Sequence, residues 1–128
     1  MKEPVRIISS KIPSVIENLG NGYWYYNFNI VPCKIYKEQS EANKAPLEED
    51  GYNFIQIKLK DKPTYKNCVE AVIREYVTQS EEFDLINSYN RATFNLLSDE
   101  EAEDVGTKYV SYLDKVAEIK SMVGKDFE

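Results

Sequence analysis

Alternation of apolar and polar residues predicts two β-strands in the first half of the chain. Residues 52–60 alternate cleanly, with the aliphatic side chains on one face. Residues 22–30 hold five aromatic residues within six positions, and aromatic residues at this density favour a strand. We expect the two strands to pair antiparallel, with residues 37–51 as a loop between them, and to need further cover because two strands alone are marginal in water.

The segments around these strands are less regular. Val5, Ile7 and Ile8 fit a short edge strand, whereas residues 12–20 fit a single helical turn with proline early and glycine at the end. Pro32 interrupts the aromatic strand. Because proline cannot donate a hydrogen bond to a neighbouring strand, we expect an edge, a bulge or a strand end there.

Helical spacing of apolar residues predicts three helices between residues 64 and 124. Thr64 is the expected N-cap of the first helix and Ser80 that of the second. Ser98 opens a capping box for the third helix, which we expect to end at Gly124. A tight turn joins the last two helices, so they are expected to form an antiparallel hairpin.

The third helix carries an apolar strip whose spacing alternates between three and four residues, which is a heptad pattern. Two interpretations are open. The strip packs within the chain, on the second helix and the sheet, or it joins two or three copies of the chain. Tyrosines in this strip have hydroxyls that must reach solvent or a partner. The strip consists of Ala102, Val105, Tyr109, Tyr112, Val116, Ile119 and Val123.

These elements define an α+β fold. An N-terminal aromatic-rich antiparallel β-hairpin or small sheet (about residues 22–60) is expected to pack on a C-terminal three-helix segment (about residues 64–124). At 128 residues the chain fits a single domain, with a β-rich part at 1–62 and a helical part at 63–128.

Charge and hydropathy narrow the partners. The 16 basic and 22 acidic residues give a net charge of −6, which argues against nucleic acid as a partner. The only basic strip, Lys58, Lys60, Lys62 and Lys66, is more typical of a solvated strand end. No apolar run approaches membrane-spanning length, and the N-terminus lacks the apolar region of a signal peptide, so we expect no membrane partner and a cytoplasmic location.

Residue types also limit the chemistry. The chain has no histidine, which removes histidine-activated nucleophiles and imidazole metal ligands. Cys33 and Cys68 are expected to be buried thiols. The alternatives are a single disulfide between them and a nucleophilic Cys68. Acidic clusters at 81–84 and 99–104 are expected to complement helix N-termini, with a weak cation site at 99–104 as the alternative. We therefore predict no enzyme activity, no catalytic residue, no metal and no cofactor.

Candidate partner-contact residues are aromatic. Alternation along the aromatic strand places Trp24 on the apolar face and puts Tyr23 and Tyr25 on the other, where an ordinary solvent face needs no tyrosine. Tyrosine and tryptophan dominate binding hot spots, so we predict contact through Tyr23, Trp24 and Tyr25, together with Tyr109 and Tyr112 of the third helix. The alternative is core packing with tyrosines at its rim.

Three segments carry a resemblance to a known group of proteins. They are Asn18-Leu-Gly-Asn-Gly-Tyr-Trp-Tyr-Tyr-Asn, Tyr52-Asn-Phe-Ile-Gln-Ile and Glu82-Phe-Asp-Leu-Ile-Asn-Ser-Tyr-Asn. The chain resembles, over residues 18–124, small uncharacterised proteins encoded by phages and prophages of gut anaerobes, which occur among virion and tail genes. These motifs are structural and carry over no active site.

The resemblance implies a non-enzymatic structural protein, a virion or tail-associated component, located in the host cytoplasm during assembly or in the virion. Its partners would be other virion proteins or further copies of itself in a homo-oligomer. The alternative is a small cytoplasmic adaptor or assembly chaperone that binds a peptide at a sheet edge.

Overall fold

A computed structural model describes residues 1–37 and 47–128 and shows an α+β arrangement, a four-stranded antiparallel sheet followed by three helices. By contacts the chain divides into a sheet unit, Pro4–Thr64, and a helical unit, Met1–Glu3 with Tyr65–Glu128. The strands lie in the order β1-β4-β3-β2. The elements are β1 (Ile7–Ser9), β2 (Ile16–Asn18), β3 (Tyr23–Lys37), β4 (Leu47–Lys60), α1 (Tyr65–Tyr76), α2 (Gln79–Thr93) and α3 (Asp99–Asp126).

The antiparallel pairing of the two long strands is confirmed. The predicted loop over 37–51 is wrong at its C-terminal end, because β4 already begins at Leu47; residues 38–46 lie outside the described residues.

Gly51 lies inside β4 at a point of close packing and not in a turn. A Cβ atom there would lie 2.3 Å from a methyl of Ile35 and 2.9 Å from the backbone oxygen of Ser9. Only glycine lets these neighbours approach so closely.

A β-bulge lies between Phe28 and Val31, where β3 has one residue more than β4. The bulge places Asn29 at a φ of 54°, and the Arg6 guanidinium donates a hydrogen bond to the Asn29 carbonyl oxygen. Pro32 follows inside the strand. In the described part of the sheet, β2 pairs only with residues 24–26 of β3. Pro32 therefore has β4 as its strand neighbour on one side, and on its other side there is no hydrogen-bond ladder for it to interrupt. The expectation of an edge at Pro32 holds.

The N-terminal segment contributes both outer strands. β1 confirms the predicted edge strand, whereas the helical turn predicted over residues 12–20 is wrong because β2 lies there. Ile16 faces Tyr26 and Asn18 faces Trp24 across the β2–β3 pair. Pairing with a long, preformed strand outweighs the weak helical tendency of so short a segment, since isolated single turns are unstable.

Apolar side chains of the sheet unit are buried on one face of the central pair. Opposite residues in an antiparallel pair share a face, so the register brings the predicted aliphatic face of β4 against the aromatic face of β3. All four central side chains are at most 5 % exposed. They are Tyr26, Phe28, Ile55 and Ile57.

The helical unit matches the predicted spacing, with corrections at two helix ends. α1 buries Cys68, Val69, Val72 and Tyr76, and α3 buries Ile119 and Val123. The predicted Ser98 capping box opens α3. The N-cap of α2 is Thr78 and not Ser80, because Glu81 lies three residues after Thr78 and completes a capping box with it. α3 continues past Gly124 to Asp126.

α2 and α3 form the predicted antiparallel hairpin. The Tyr89 and Tyr109 rings stack with centroids 4.3 Å apart, and the Tyr112 hydroxyl donates a hydrogen bond to Glu82. Residues later in α2 therefore lie beside residues earlier in α3, as in an antiparallel pair. At Tyr109 and Tyr112 the heptad strip of α3 therefore packs on α2, which is one part of the first interpretation, and Tyr112 finds its hydroxyl partner there. The packing of the strip on the sheet stays a prediction.

Candidate protein-interaction surface

One face of the β3–β4 pair carries a small surface of tyrosine and lysine side chains. Tyr23 lies opposite Lys60 and Tyr25 lies opposite Lys58, so all four side chains share this face. The Lys58 Nζ atom lies 4.7 Å from the centroid of the Tyr23 ring, within the range of a cation–π interaction. We call these four residues the Tyr–Lys surface.

Exposure is uneven across the Tyr–Lys surface. Tyr23 is 39 % exposed and both lysines are exposed, whereas Tyr25 is half-buried. On its other side Tyr25 lies opposite Glu17 of β2, so the positive charge is concentrated along β4. The surface therefore offers an aromatic ring, oriented by Lys58, beside two ammonium groups.

The next β3 side chain on the same face after Tyr25 is Asn27, whose amide is buried. Asn27, 1 % exposed, donates from its side chain to the Ser14 carbonyl oxygen at 2.6 Å and accepts a hydrogen bond from Gln56 at 3.2 Å. Strand alternation puts Asn27 on the same face as Tyr23 and Tyr25. Its burial could not be foreseen, because the opposing pair Asn27–Gln56 becomes evident only once the strand register is known.

The other predicted contact residues lie elsewhere. Trp24 faces away from the Tyr–Lys surface, half-buried opposite Leu59. Tyr109 and Tyr112 belong to the helical unit, where Tyr109 stacks on an α2 ring and Tyr112 binds a carboxylate. Of the five predicted residues, only Tyr23 and Tyr25 lie on the Tyr–Lys surface, and Tyr109 and Tyr112 lie together on α3 with their ring centroids 6.1 Å apart. The sequence interpretation missed the contribution of Lys58 and Lys60, which it treated as a solvated strand end.

The Tyr112 hydroxyl belongs to a small polar network between helices. Glu82 accepts from Tyr112 and also from the Arg74 guanidinium at 3.0 Å. The Tyr112 hydrogen bond, and then Arg74, lower the pKa of the Glu82 carboxyl. Burial, together with the Glu82 hydrogen bond, raises the pKa of Tyr112 to about 12. With these two shifts, the Tyr112 phenol is neutral and the Glu82 carboxylate is charged at neutral pH, so the pair forms a stabilising hydrogen bond with a structural role.

Neither cysteine forms a disulfide. Cys68 is fully buried in α1, and burial, with a smaller contribution from Asp126, raises the pKa of its thiol to about 12. A thiol held in its protonated form is a poor nucleophile, so Cys68 fits the prediction of a structural residue. Cys33 is a half-buried free thiol of β3.

The acidic clusters lie at helix N-termini. Glu81 and Glu101 each complete a capping box, and Asp99 and Glu100 lie in the first turn of α3, where the helix dipole favours negative charge. In the described ranges, no group of three or more acidic or cysteine side chains has the geometry of a metal site. No described helix is both long and apolar enough to span a membrane.

A groove of about 560 Å³ lies on one side of the α2–α3 seam. Val77, Leu85 and Val105 form its apolar floor, and Asp84 and Lys108 contribute charge. The rest of its lining includes Glu81 and the hydroxyls of Ser88, Thr107 and Ser111.

The fold and the Tyr–Lys surface define an α+β protein with one exposed aromatic and basic face on its sheet. A scan of protein-family models, a search of curated proteins and a search of solved structures each found no match to this chain.

Proposed function

We propose that the chain is a non-enzymatic protein–protein interaction protein that contacts its partner through the Tyr–Lys surface. The observation that carries the proposal is the exposed Tyr23 ring, which Lys58 contacts on a sheet face. Tyrosine offers a large, rigid contact area and a hydroxyl at low entropic cost, which is why it is enriched at binding hot spots. A ring already oriented by its neighbour loses little further freedom on binding.

The partner expected on this surface is an acidic face of another protein. Lys58 and Lys60 extend the positive charge along β4, beside the Tyr23 ring, in a chain of net charge −6. Carboxylates of a partner would pair with the two ammonium groups while an apolar or aromatic side chain covers the ring.

We assign the protein to a virion or tail-associated structural component of phage origin. This assignment is supported by the resemblance of the Trp-Tyr-Tyr-Asn strand and of the helix segment ending in Asn-Ser-Tyr-Asn to phage and prophage proteins. The non-enzymatic part is supported by the absence of histidine and the raised pKa of the Cys68 thiol. The test of origin is mass spectrometry of particles released from cells that encode the chain, in which its peptides should co-purify with the particles; their absence would refute a virion role.

Site-specific photo-crosslinking tests the contact site. A photoreactive phenylalanine analogue replaces Tyr23, or Tyr36 as a control that lies on the same strand and is 74 % exposed. In cells that encode the chain, position 23 should give one discrete crosslinked protein and position 36 none. Adding Lys58→Glu to the position 23 variant should abolish that crosslink. No crosslink at position 23, or equal crosslinks at both positions, would overturn the proposal.

A second candidate, an adaptor that binds a peptide by strand addition, is favoured by the outer edge of β3. In the described part of the sheet, β2 pairs with only three residues of β3, so residues 31–37 have a strand neighbour on one side only. Unpaired strand edges accept extended peptides. A crosslink from position 36 without one from position 23 would support this function and overturn the first.

A further inference from the structure

Helix α2 of the helical unit is incompletely buried. α2 has no buried residue, although its sequence is amphipathic, and Phe83 is 58 % exposed. A helix in a folded protein normally buries an apolar stripe, and most of its stability comes from that burial. α2 packs on α3 along one side only, through contacts such as Tyr89 with Tyr109. Part of the apolar surface of α2 therefore has no partner within the described chain.

The unpartnered apolar side chains lie on one side of the hairpin. Successive residues turn by about 100° around a helix, so Phe83 and Ile86 lie on the opposite side of the α2–α3 seam from the groove residues Asp84 and Ser88. On α3 the same reasoning places Val110, 56 % exposed, and Leu113, 46 % exposed, opposite the groove residues Lys108 and Ser111. We call Phe83, Ile86, Gly106, Val110 and Leu113 the hairpin face.

The hairpin face is free of charge. Asn90 on α2 and Ala117 on α3 extend the face without charge, and the next positions of the α3 row, Glu103 and Lys120, are charged and bound it at either end. Charged residues make up 30 % of the chain as a whole. Two copies of an acidic protein repel each other at most surfaces, but this face lets two copies meet without placing like charges in contact.

Gly106 supports close approach of another helix. It lies inside α3, where glycine destabilises a helix relative to alanine. Apart from its sequence neighbours and the backbone of its own helix, nothing in the described structure lies within 4 Å of the position that a Cβ would occupy, so packing against another described element does not explain the glycine. A small residue on a helix face allows the backbone of a packing helix to come near.

The exposed area approaches what a dimer needs. Phe83, Val110 and Leu113 are exposed on the hairpin face, and Phe94 at the end of α2 continues the row of Phe83. At their exposed fractions of 46–74 % these four side chains present about 400 Å² of apolar surface, taking about 150–200 Å² for each fully exposed side chain. A standard interface buries about 800 Å² on each partner, of which about 65 % is apolar in homodimers.

We infer that the hairpin face binds a second copy of this chain, so that two α2–α3 hairpins pack face to face into a four-helix bundle. The two-fold symmetric arrangement brings the same face of each copy together and buries Phe83, Val110 and Leu113 in the new core. This association involves the helical unit alone and does not depend on the Tyr–Lys surface.

The test is sedimentation equilibrium of the full-length chain over a range of concentrations. The unmodified protein should sediment as a dimer. Val110→Glu places a charge in the proposed core and should raise the dissociation constant at least about a hundredfold. Ser111→Glu is the matched control, because it adds the same charge to the next residue of α3 on the groove side, and it should leave the dimer intact.

Gly106→Leu provides a second variant that does not rely on introducing charge. It improves the helical propensity of α3, so the monomer should unfold at a higher denaturant concentration, while the added side chain should block the dimer. Circular dichroism checks that each variant is folded. A monomeric wild type, or a dimer that Val110→Glu and Gly106→Leu leave as tight as Ser111→Glu does, would overturn the inference.

Discussion

Removal of one hydroxyl tests how the helical hairpin is held together. Tyr112→Phe deletes one donor to the Glu82 carboxylate and leaves the Arg74 guanidinium, at 3.0 Å, bonded to it. Hydrogen bonds to charged groups contribute about 1.5–3 kcal/mol to stability. The Glu82 side chain is 21 % exposed, so solvent replaces part of the lost bond, and we expect the free energy of unfolding to fall by about 1.5 kcal/mol.

Urea unfolding followed by circular dichroism measures this change. With a denaturant dependence of about 1–3 kcal/mol per molar urea, the midpoint should fall by roughly 0.5–1.5 M. Tyr109→Phe is the matched control, since it removes the same group one turn earlier on α3. The Tyr109 ring stacks on Tyr89, and within the described residues its hydroxyl makes no hydrogen bond, so its midpoint should barely move.

The pH dependence gives a second measurement on the same variant. The pKa of Glu82 is lowered in the folded state, so its contribution to stability is present above the ordinary value of 4.5 and is lost as the pH falls below it. Because Tyr112 is the main cause of that shift, Tyr112→Phe should flatten the loss of stability in acid. The pKa of Tyr112 is raised from 10.0 to about 12, so its contribution is present below pH 10 and is lost as the pH rises toward 12, a loss that the variant should lack.

Equal midpoints for Tyr112→Phe and Tyr109→Phe would refute this reasoning. So would an unchanged acid profile, because it would show that the hydrogen bond to Glu82 is absent in solution or is replaced by water at no cost.

Two further predictions concern buried groups. Asn27→Ala removes a buried amide together with its hydrogen bonds to Ser14 and Gln56 and should cost about 1–3 kcal/mol in urea unfolding. The exposed control Asn87→Ala should change stability by less than about 0.5 kcal/mol, and equal effects of the two substitutions would contradict a stabilising role of the buried amide. At pH 8, Cys33 should react with a thiol reagent while Cys68 does not, because a Cys68 pKa of about 12 in place of 9.0 lowers its thiolate fraction about a thousandfold. Denaturant should make both cysteines react. Similar rates for the two cysteines in the folded protein would show that Cys68 is accessible.

Local sequence patterns predicted most of the elements but not their ends. Strict alternation marked β4, and the Ser98 capping box marked the start of α3, because both signals act over a few neighbouring residues. The helical turn predicted over residues 12–20 failed because the segment gains more from pairing with β3 than from its own propensity. The loop predicted over residues 37–51 failed at its C-terminal end because β4 begins at Leu47, and Gly51 within β4 allows a close approach to Ser9 across the sheet.

The candidate surface was predicted only in part, and for a related reason. Strand periodicity by itself put Tyr23 and Tyr25 on one face and Trp24 on the other, since alternate side chains always point to opposite sides. Which residues lie beside them depends on the register between two strands that are distant in sequence. Only the tertiary structure placed Lys58 against Tyr23 and buried Asn27 against Gln56, because such contacts are set by long-range pairing and not by the order of residues along either strand.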